Sequence, residues 1–143
     1  ANEAGFDEAI LLTQEGTVSE GSAENIFLVK DGVLITPAPS EHILIGITRA
    51  TIIQVAREEL GIPTIERHIG RAELYLADEC FLCGTGAQIS PVVDIDRRPV
   101  GGGEIGPITR RLQELYFEIV RGRNPKYAHW CRAVYPARAG AVS

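Results

Sequence analysis

The chain has 143 residues, 45% of them hydrophobic and 23% charged, with a net charge of −5. That length suits one domain, and at this size roughly 70% of the unfolded surface can be buried. The acidic balance argues against a nucleic-acid binder, which carries a broad basic footprint, and no apolar run approaches the ~20 residues of a membrane helix. No secretory signal is expected, because Ala1-Asn2-Glu3-Ala4-Gly5 has neither a basic region nor an apolar core. Cys80, Cys83 and Cys131 are an odd number for a disulfide scaffold, so a reducing cytoplasm is the expected location.

In chain order, Glu8 to Thr13 reads as a short buried strand closed by the turn Gln14-Glu15-Gly16-Thr17. Asn25 to Thr36 holds two β-rich runs, Ile26-Phe27-Leu28-Val29 and Val33-Leu34-Ile35-Thr36. Lys30-Asp31-Gly32 lies between them, and Asp-Gly is a hairpin signal. From Gly46 the period becomes helical. Ile52, Ile53, Ala56 and Leu60 form one stripe, ended by Gly61 with Pro63 beyond.

A short helix is expected around Arg71 to Ala77, and strands at Glu79 to Gly84 and Ile89 to Ile95. The last helix opens at Pro107 and is expected to bury Ile108, Leu112, Leu115, Tyr116, Ile119 and Val120. Residues 1–136 are read as one domain and 137–143 as a frayed, disordered tail. Strands and helices mix without βαβ alternation, which predicts an α+β fold with a mostly antiparallel or mixed sheet.

Three segments have the composition to carry chemistry. Val18-Ser19-Glu20-Gly21-Ser22-Ala23-Glu24-Asn25 is a small-residue loop with two carboxylates and an amide, which lets a flat ligand approach the backbone. A solvated loop explains the same composition. Ile45-Gly46-Ile47-Thr48-Arg49 lies where a loop becomes a helix. Free N–H groups, the positive dipole end and the Thr48 hydroxyl suit a phosphate there, although capping by Thr48 needs no ligand. Cys83-Gly84-Thr85-Gly86-Ala87-Gln88 follows an apolar strand and offers a second anion cradle, or simply a strand-ending turn.

Other patterns lose on context. Gly101-Gly102-Gly103-Glu104-Ile105-Gly106 matches G-x-G-x-x-G, but Asp96-Arg97-Arg98-Pro99-Val100 before it is no apolar strand of a dinucleotide fold. Cys80-x-x-Cys83 has metal or redox spacing without a second pair, so two small thiols in or near the core are the simpler reading. His42, His68 and His129 are scattered, and no metal site is expected. No nucleophile-elbow motif is present.

The ordered phrases Ser19-Glu20-Gly21-Ser22-Ala23-Glu24-Asn25-Ile26-Phe27, Gly46-Ile47-Thr48-Arg49, Leu74-Tyr75-Leu76-Ala77-Asp78-Glu79, Gly84-Thr85-Gly86-Ala87 with Ser90-Pro91-Val92, and Gly106-Pro107-Ile108-Thr109-Arg110 resemble the branched-chain amino acid aminotransferases, which are fold-type IV enzymes dependent on pyridoxal 5'-phosphate (PLP). The resemblance runs from about Gly5 to near Trp130. It implies the C-terminal large domain of the D-amino-acid-aminotransferase-like fold, a mixed sheet or pseudobarrel with flanking helices. The implied activity moves an amino group between leucine, isoleucine or valine and 2-oxoglutarate. A D-amino-acid transaminase or an aminodeoxychorismate lyase shares the fold, and a non-catalytic binding or assembly module is a further alternative.

By the same resemblance Glu20 pairs with the cofactor's pyridine nitrogen. Ile47, Thr48 and Thr85 hold its phosphate, Leu44 packs on its ring, and the backbone of Gly86 and Ala87 receives the substrate carboxylate. In the family the Schiff-base lysine lies upstream of the first matching phrase, whereas this sequence has Lys30 and Lys126. Neither is in the lysine's motif, so the chain alone is expected to be inactive. Self-association, or association with a missing N-terminal half, is expected as well. Ala23 where glycine is common and Ile45 where proline or glutamate often stands depart from the family pattern.

Overall fold

The computed structural model describes residues 2–41, 43–44 and 46–131; the tail 137–143 and the boundary at 136 lie outside them. The strands are β1 (Ile10–Leu12), β2 (Val18–Gly21), β3 (Asn25–Lys30), β4 (Val33–Thr36), β5 (Thr64–Glu66), β6 (Glu79–Gly84), β7 (Gln88–Pro91), β8 (Asp94–Ile95) and β9 (Arg98–Pro99). Among the described residues there are also two α-helices, α1 (Ile47–Leu60) and α2 (Pro107–Val120), and short 3-10 turns.

Five strands make one sheet in the order β5-β4-β3-β6-β7. Its pairs are antiparallel except β4 with β5, so the sheet is mixed and the fold α+β. The β3–β4 hairpin turns at Asp31 and Gly32, with φ of 50° and 74°. Positive φ at both central residues is the geometry that Asp-Gly favours in a two-residue hairpin.

Strand periodicity divides the sheet's core residues between two faces, and a third cluster of Val55, Leu115, Ile119 and Tyr127 lies between the helices. Ile26, Leu28, Cys80 and Leu82 pack on one face with Val18, Ile35, Ile69, Leu74, Ile95 and Val100. Phe27, Val29, Leu34, Phe81, Cys83 and Ile89 pack on the other, against Ile52 and Ala56 of α1 and Leu112 of α2. Phe27 and Phe81 are directly paired in register, and their rings stack with centroids 5.0 Å apart. Both thiols of the Cys80–Cys83 spacing are free and buried, one in each layer, because positions three apart on a strand face opposite ways.

Five expectations need correction. The segment Val18 to Asn25 is a loop only at 22–24, because β2 and β3 take its two ends. The strand in the segment from Glu8 to Thr13 is not buried: Leu11 and Leu12 are 44% and 41% exposed, since β1 pairs with β2 outside the main sheet. The run from Ile89 to Ile95 is two strands, parted at Val92 and Val93. There the chain leaves β6 and turns into the β8–β9 hairpin, with Asp96 and Arg97 at positive φ. The expected helix at Arg71 to Ala77 is a 3-10 turn over Arg71–Tyr75. Val120 closes α2 exposed rather than buried.

Candidate active site

The two α-helices begin alike and are finished differently. Each has 14 residues and an extended glycine as N-cap, Gly46 (φ −82°, ψ 148°) for α1 and Gly106 (φ −78°, ψ 162°) for α2. Neither N-cap supplies a side-chain hydrogen bond. At α2 the buried Glu79 carboxylate replaces it, accepting from the Thr109 amide at 2.8 Å and the Ile108 amide at 3.3 Å.

At α1 no acceptor meets the Ile47, Thr48 or Arg49 amides among the described residues, and the first turn holds no acidic side chain. Capping by Thr48 is therefore excluded; it is the second helical residue, and it is buried. A helix start left with free donors and the positive end of its dipole is suited to an anion.

The segment 20–25 forms the wall beside this helix start. Glu20 on β2 is half-buried, and its Oε2 accepts from the Leu44 amide at 3.2 Å. At the far end of the segment, the Asn25 Nδ2 donates to the Leu44 carbonyl at 2.9 Å. Leu44 is thus held by its N–H to Glu20 and by its C=O to Asn25. Its side chain stays 79% exposed, and that of Ile47 86% exposed. A Cβ at Gly46 would lie 2.8 Å from the Asn25 Oδ1. The helix start consequently comes as close to the wall as glycine permits.

Asn25 also connects the second cradle. It faces Cys83 in the β3–β6 register, and a Cβ at Gly84 would lie 3.2 Å from the Ala23 carbonyl. Beyond Gly84, Thr85 and Gly86 are exposed and Ala87 is half-buried in the turn into β7. The Ser90 hydroxyl donates to the Ala87 carbonyl at 3.0 Å, which ties that turn. Glu20, Leu44, the Gly46 helix start and the Gly84 turn therefore share one edge, the segment 20–25.

Ala87 has a second setting. With Glu24 it borders a cleft of about 910 Å³ whose other lining includes Phe6, Ile10, Leu82 and Val92. Glu20, Leu44, Ile47, Thr48 and Thr85 do not line that cleft.

Asn25 stands in a sequence motif that assigns it no role. The available signal is an amide heading an apolar strand, where a buried polar side chain must find partners. Residue order gives Glu79 no function either, and its cap becomes visible only once β6 is seen to begin beside α2.

The model of the amino-transferase class IV family matches residues 1–95. The chain belongs to this family. It is 56% identical to the probable branched-chain-amino-acid aminotransferase of Aquifex aeolicus over 132 residues, 92% of this chain and 42% of that protein. With the branched-chain-amino-acid aminotransferase of Pseudomonas aeruginosa it shares 47% identity, over 88% of this chain and 40% of the relative. The chain thus spans about two fifths of the length of these curated relatives.

Among solved structures, it matches the branched-chain amino acid aminotransferase from Thermobaculum terrenum in its PLP-form at a TM-score of 0.89 and 48% identity, covering 91% of this chain and 42% of that one. The branched-chain aminotransferase of Thermoproteus uzoniensis with norvaline matches at a TM-score of 0.89 and 50% identity, covering 94% and 44%. Class IV membership and the α+β architecture agree with the resemblance. No helix is long and apolar enough to cross a membrane among the described residues.

Proposed function

We propose that this chain is the cofactor-phosphate-binding part of a PLP-dependent branched-chain amino acid aminotransferase, acting on leucine, isoleucine or valine with 2-oxoglutarate as amino acceptor. The observation that carries the proposal is the α1 amino end beside Glu20, which no side chain caps among the described residues, with Leu44 hydrogen-bonded to that acid. The relatives named above support the substrate class. When bound, PLP supplies an electron sink for charge developing at the amino acid's α-carbon.

The donor set fits that group. The Ile47 and Thr48 amides, with the Thr48 and Thr85 hydroxyls, hold a phosphate by N–H and O–H donation in the field of the helix dipole. The Glu20 carboxylate keeps a proton on a ring nitrogen, because an ionised acid beside it favours the charged form. The exposed Leu44 side chain offers an apolar surface to a ring face. The Gly86 and Ala87 backbone receives the substrate α-carboxylate.

Neither lysine of the sequence serves as the covalent amine in this reading. Lys30 ends β3, five residues from Asn25, or about 16 Å along a strand. It pairs with Asp78 there. Lys126 pairs with Glu59 near the carboxyl end of α1, about 18 Å along the helix from Ile47. The 143-residue chain therefore binds the phosphorylated ring without turning over substrate, and it associates through exposed apolar side chains with a second copy or with a lysine-bearing partner segment.

The test is titration of the chain with PLP, followed by absorbance and fluorescence, before and after borohydride. Saturable binding is expected, weakened by Thr48→Ala, with no reducible adduct on either lysine. No saturable binding would overturn the cofactor site, and a reduced adduct mapped to Lys30 or Lys126 would overturn the lysine argument.

A further inference from the structure

Away from the ring site lies a buried carboxylate that the proposed chemistry does not use. Glu41 is 3% exposed, and an acid so buried is costly unless partnered. Its Oε2 accepts from the Thr17 hydroxyl at 2.5 Å and its backbone carbonyl accepts from the Ser19 hydroxyl at 2.9 Å, while its Oε1 faces Nδ1 of His68 and has no hydrogen-bond partner among the described residues. Backbone pairing brings these partners together. Thr17 bridges Gly70, and the Val18 amide donates to the Ile69 carbonyl at 2.8 Å, which lays 68–70 along the start of β2.

Thr17 and Ser19 point to one side of the strand, whereas Val18 and Glu20 point to the other. Glu41 therefore clasps the side of β2 opposite to the one that carries Glu20. Three residues later in the chain comes Leu44, whose amide meets Glu20. That tether spans at most ~10 Å, so the anchoring of Glu41 limits how far Leu44 can stray from β2.

We propose that Glu41 is a positioning residue that holds Leu44 and the α1 amino end in register with Glu20, with Thr17 and Ser19 as its supports. Its bearing on cofactor binding rests on the function proposed above; its bearing on the loop does not. Glu41→Ala releases Leu44 from Glu20, and Glu41→Gln, which keeps an acceptor for Thr17, restores part of the contact.

The experiment is amide hydrogen exchange by NMR on the 143-residue chain, paired with PLP titration. In Glu41→Ala, exchange at Leu44 rises about fivefold or more, the loss of about one hydrogen bond, and PLP affinity falls by a similar factor. Phe27 in the core and Thr109 at the α2 cap keep their protection, and Glu41→Gln recovers more than half of that at Leu44. Unchanged Leu44 exchange in Glu41→Ala would overturn the proposal. So would an equal acceleration at Phe27, which would make Glu41 a contributor to global stability alone. A wild-type chain that binds no PLP sinks the cofactor reading, while the exchange at Leu44 still decides the role of Glu41.

Discussion

Thr109 at the start of α2 donates its amide to the Glu79 carboxylate at 2.8 Å, and both side chains are buried. A carboxylate from the first residue of β6 thus does for α2 what no group among the described residues does for α1. A Cβ at Gly106 would fall inside that carboxylate, so the close approach requires glycine. Glu79→Ala should cost about 0.5–2 kcal/mol, the range of a lost N-cap. Gly106→Ala should also destabilise, by displacing Glu79. Urea unfolding of both variants checks this, and a Glu79→Ala midpoint equal to wild type would deny Glu79 its capping role.

Much of this fold can be read from residue order, because its signals are local. The Asp31-Gly32 turn fixes the β3–β4 hairpin, and Gly61 at φ 65° stops α1 where the apolar stripe ends. The features that residue order hides are non-local. Glu79 reads as one more strand residue until its carboxylate is seen to reach 30 positions ahead to Thr109. Thr48 has the composition of a cap, yet Gly46 holds that position. No pattern in the residue order marks Glu41, which is buried beside Thr17 and Ser19 where β2 pairs with residues 69–70. At the candidate site, the phrases around Glu20, Gly46 and Gly84 are legible, but Asn25, which binds them to one wall, is not.

Asn25 and Gly46 should prove energetically coupled. Asn25→Ala removes the hydrogen bond to the Leu44 carbonyl and should cost about 1 kcal/mol. Gly46→Ala puts a methyl 2.8 Å from the Asn25 Oδ1, which forces that side chain to move. With Asn25 truncated, the clash disappears, so the double variant should be more stable than the sum of the single losses. Strict additivity in a urea double-mutant cycle would argue against contact between them.

Glu20 and Thr48 should separate ring recognition from phosphate recognition. On the proposed function, Glu20→Ala in a catalytically competent, lysine-bearing form should slow transamination by orders of magnitude, because the acid proposed to hold the ring-nitrogen proton is lost. Affinity for the cofactor's phosphate should change far less. Thr48→Ala should do the reverse, weakening binding of PLP and of inorganic phosphate while leaving turnover at saturation nearer to wild type. Single-turnover rates and competition by phosphate distinguish the two. Equal losses in both measurements for Glu20→Ala would mean that Glu20 acts in phosphate binding as well.

The thiols should respond to alkali according to their burial. Desolvation pushes Cys80 and Cys83 up to about 12 from an ordinary 9.0, with the Arg49 charge pulling Cys83 down by a lesser amount. Cys131 is exposed, so Ellman's reagent at pH 8 should find one fast thiol, and three after denaturation in urea. Because the folded thiols hold their protons longer than the unfolded ones, their contribution is complete below pH 9 and is lost progressively as pH rises toward 12. Burial raises the Tyr127 phenol too, aided by its hydrogen bonds to Glu58 and Glu59, and it adds a slope of the same sign. Urea midpoints at about pH 8 and pH 10.5 should therefore differ, and Cys80→Ala with Cys83→Ala should reduce that difference without abolishing it. A midpoint difference untouched by removing both thiols would assign the alkaline loss to Tyr127.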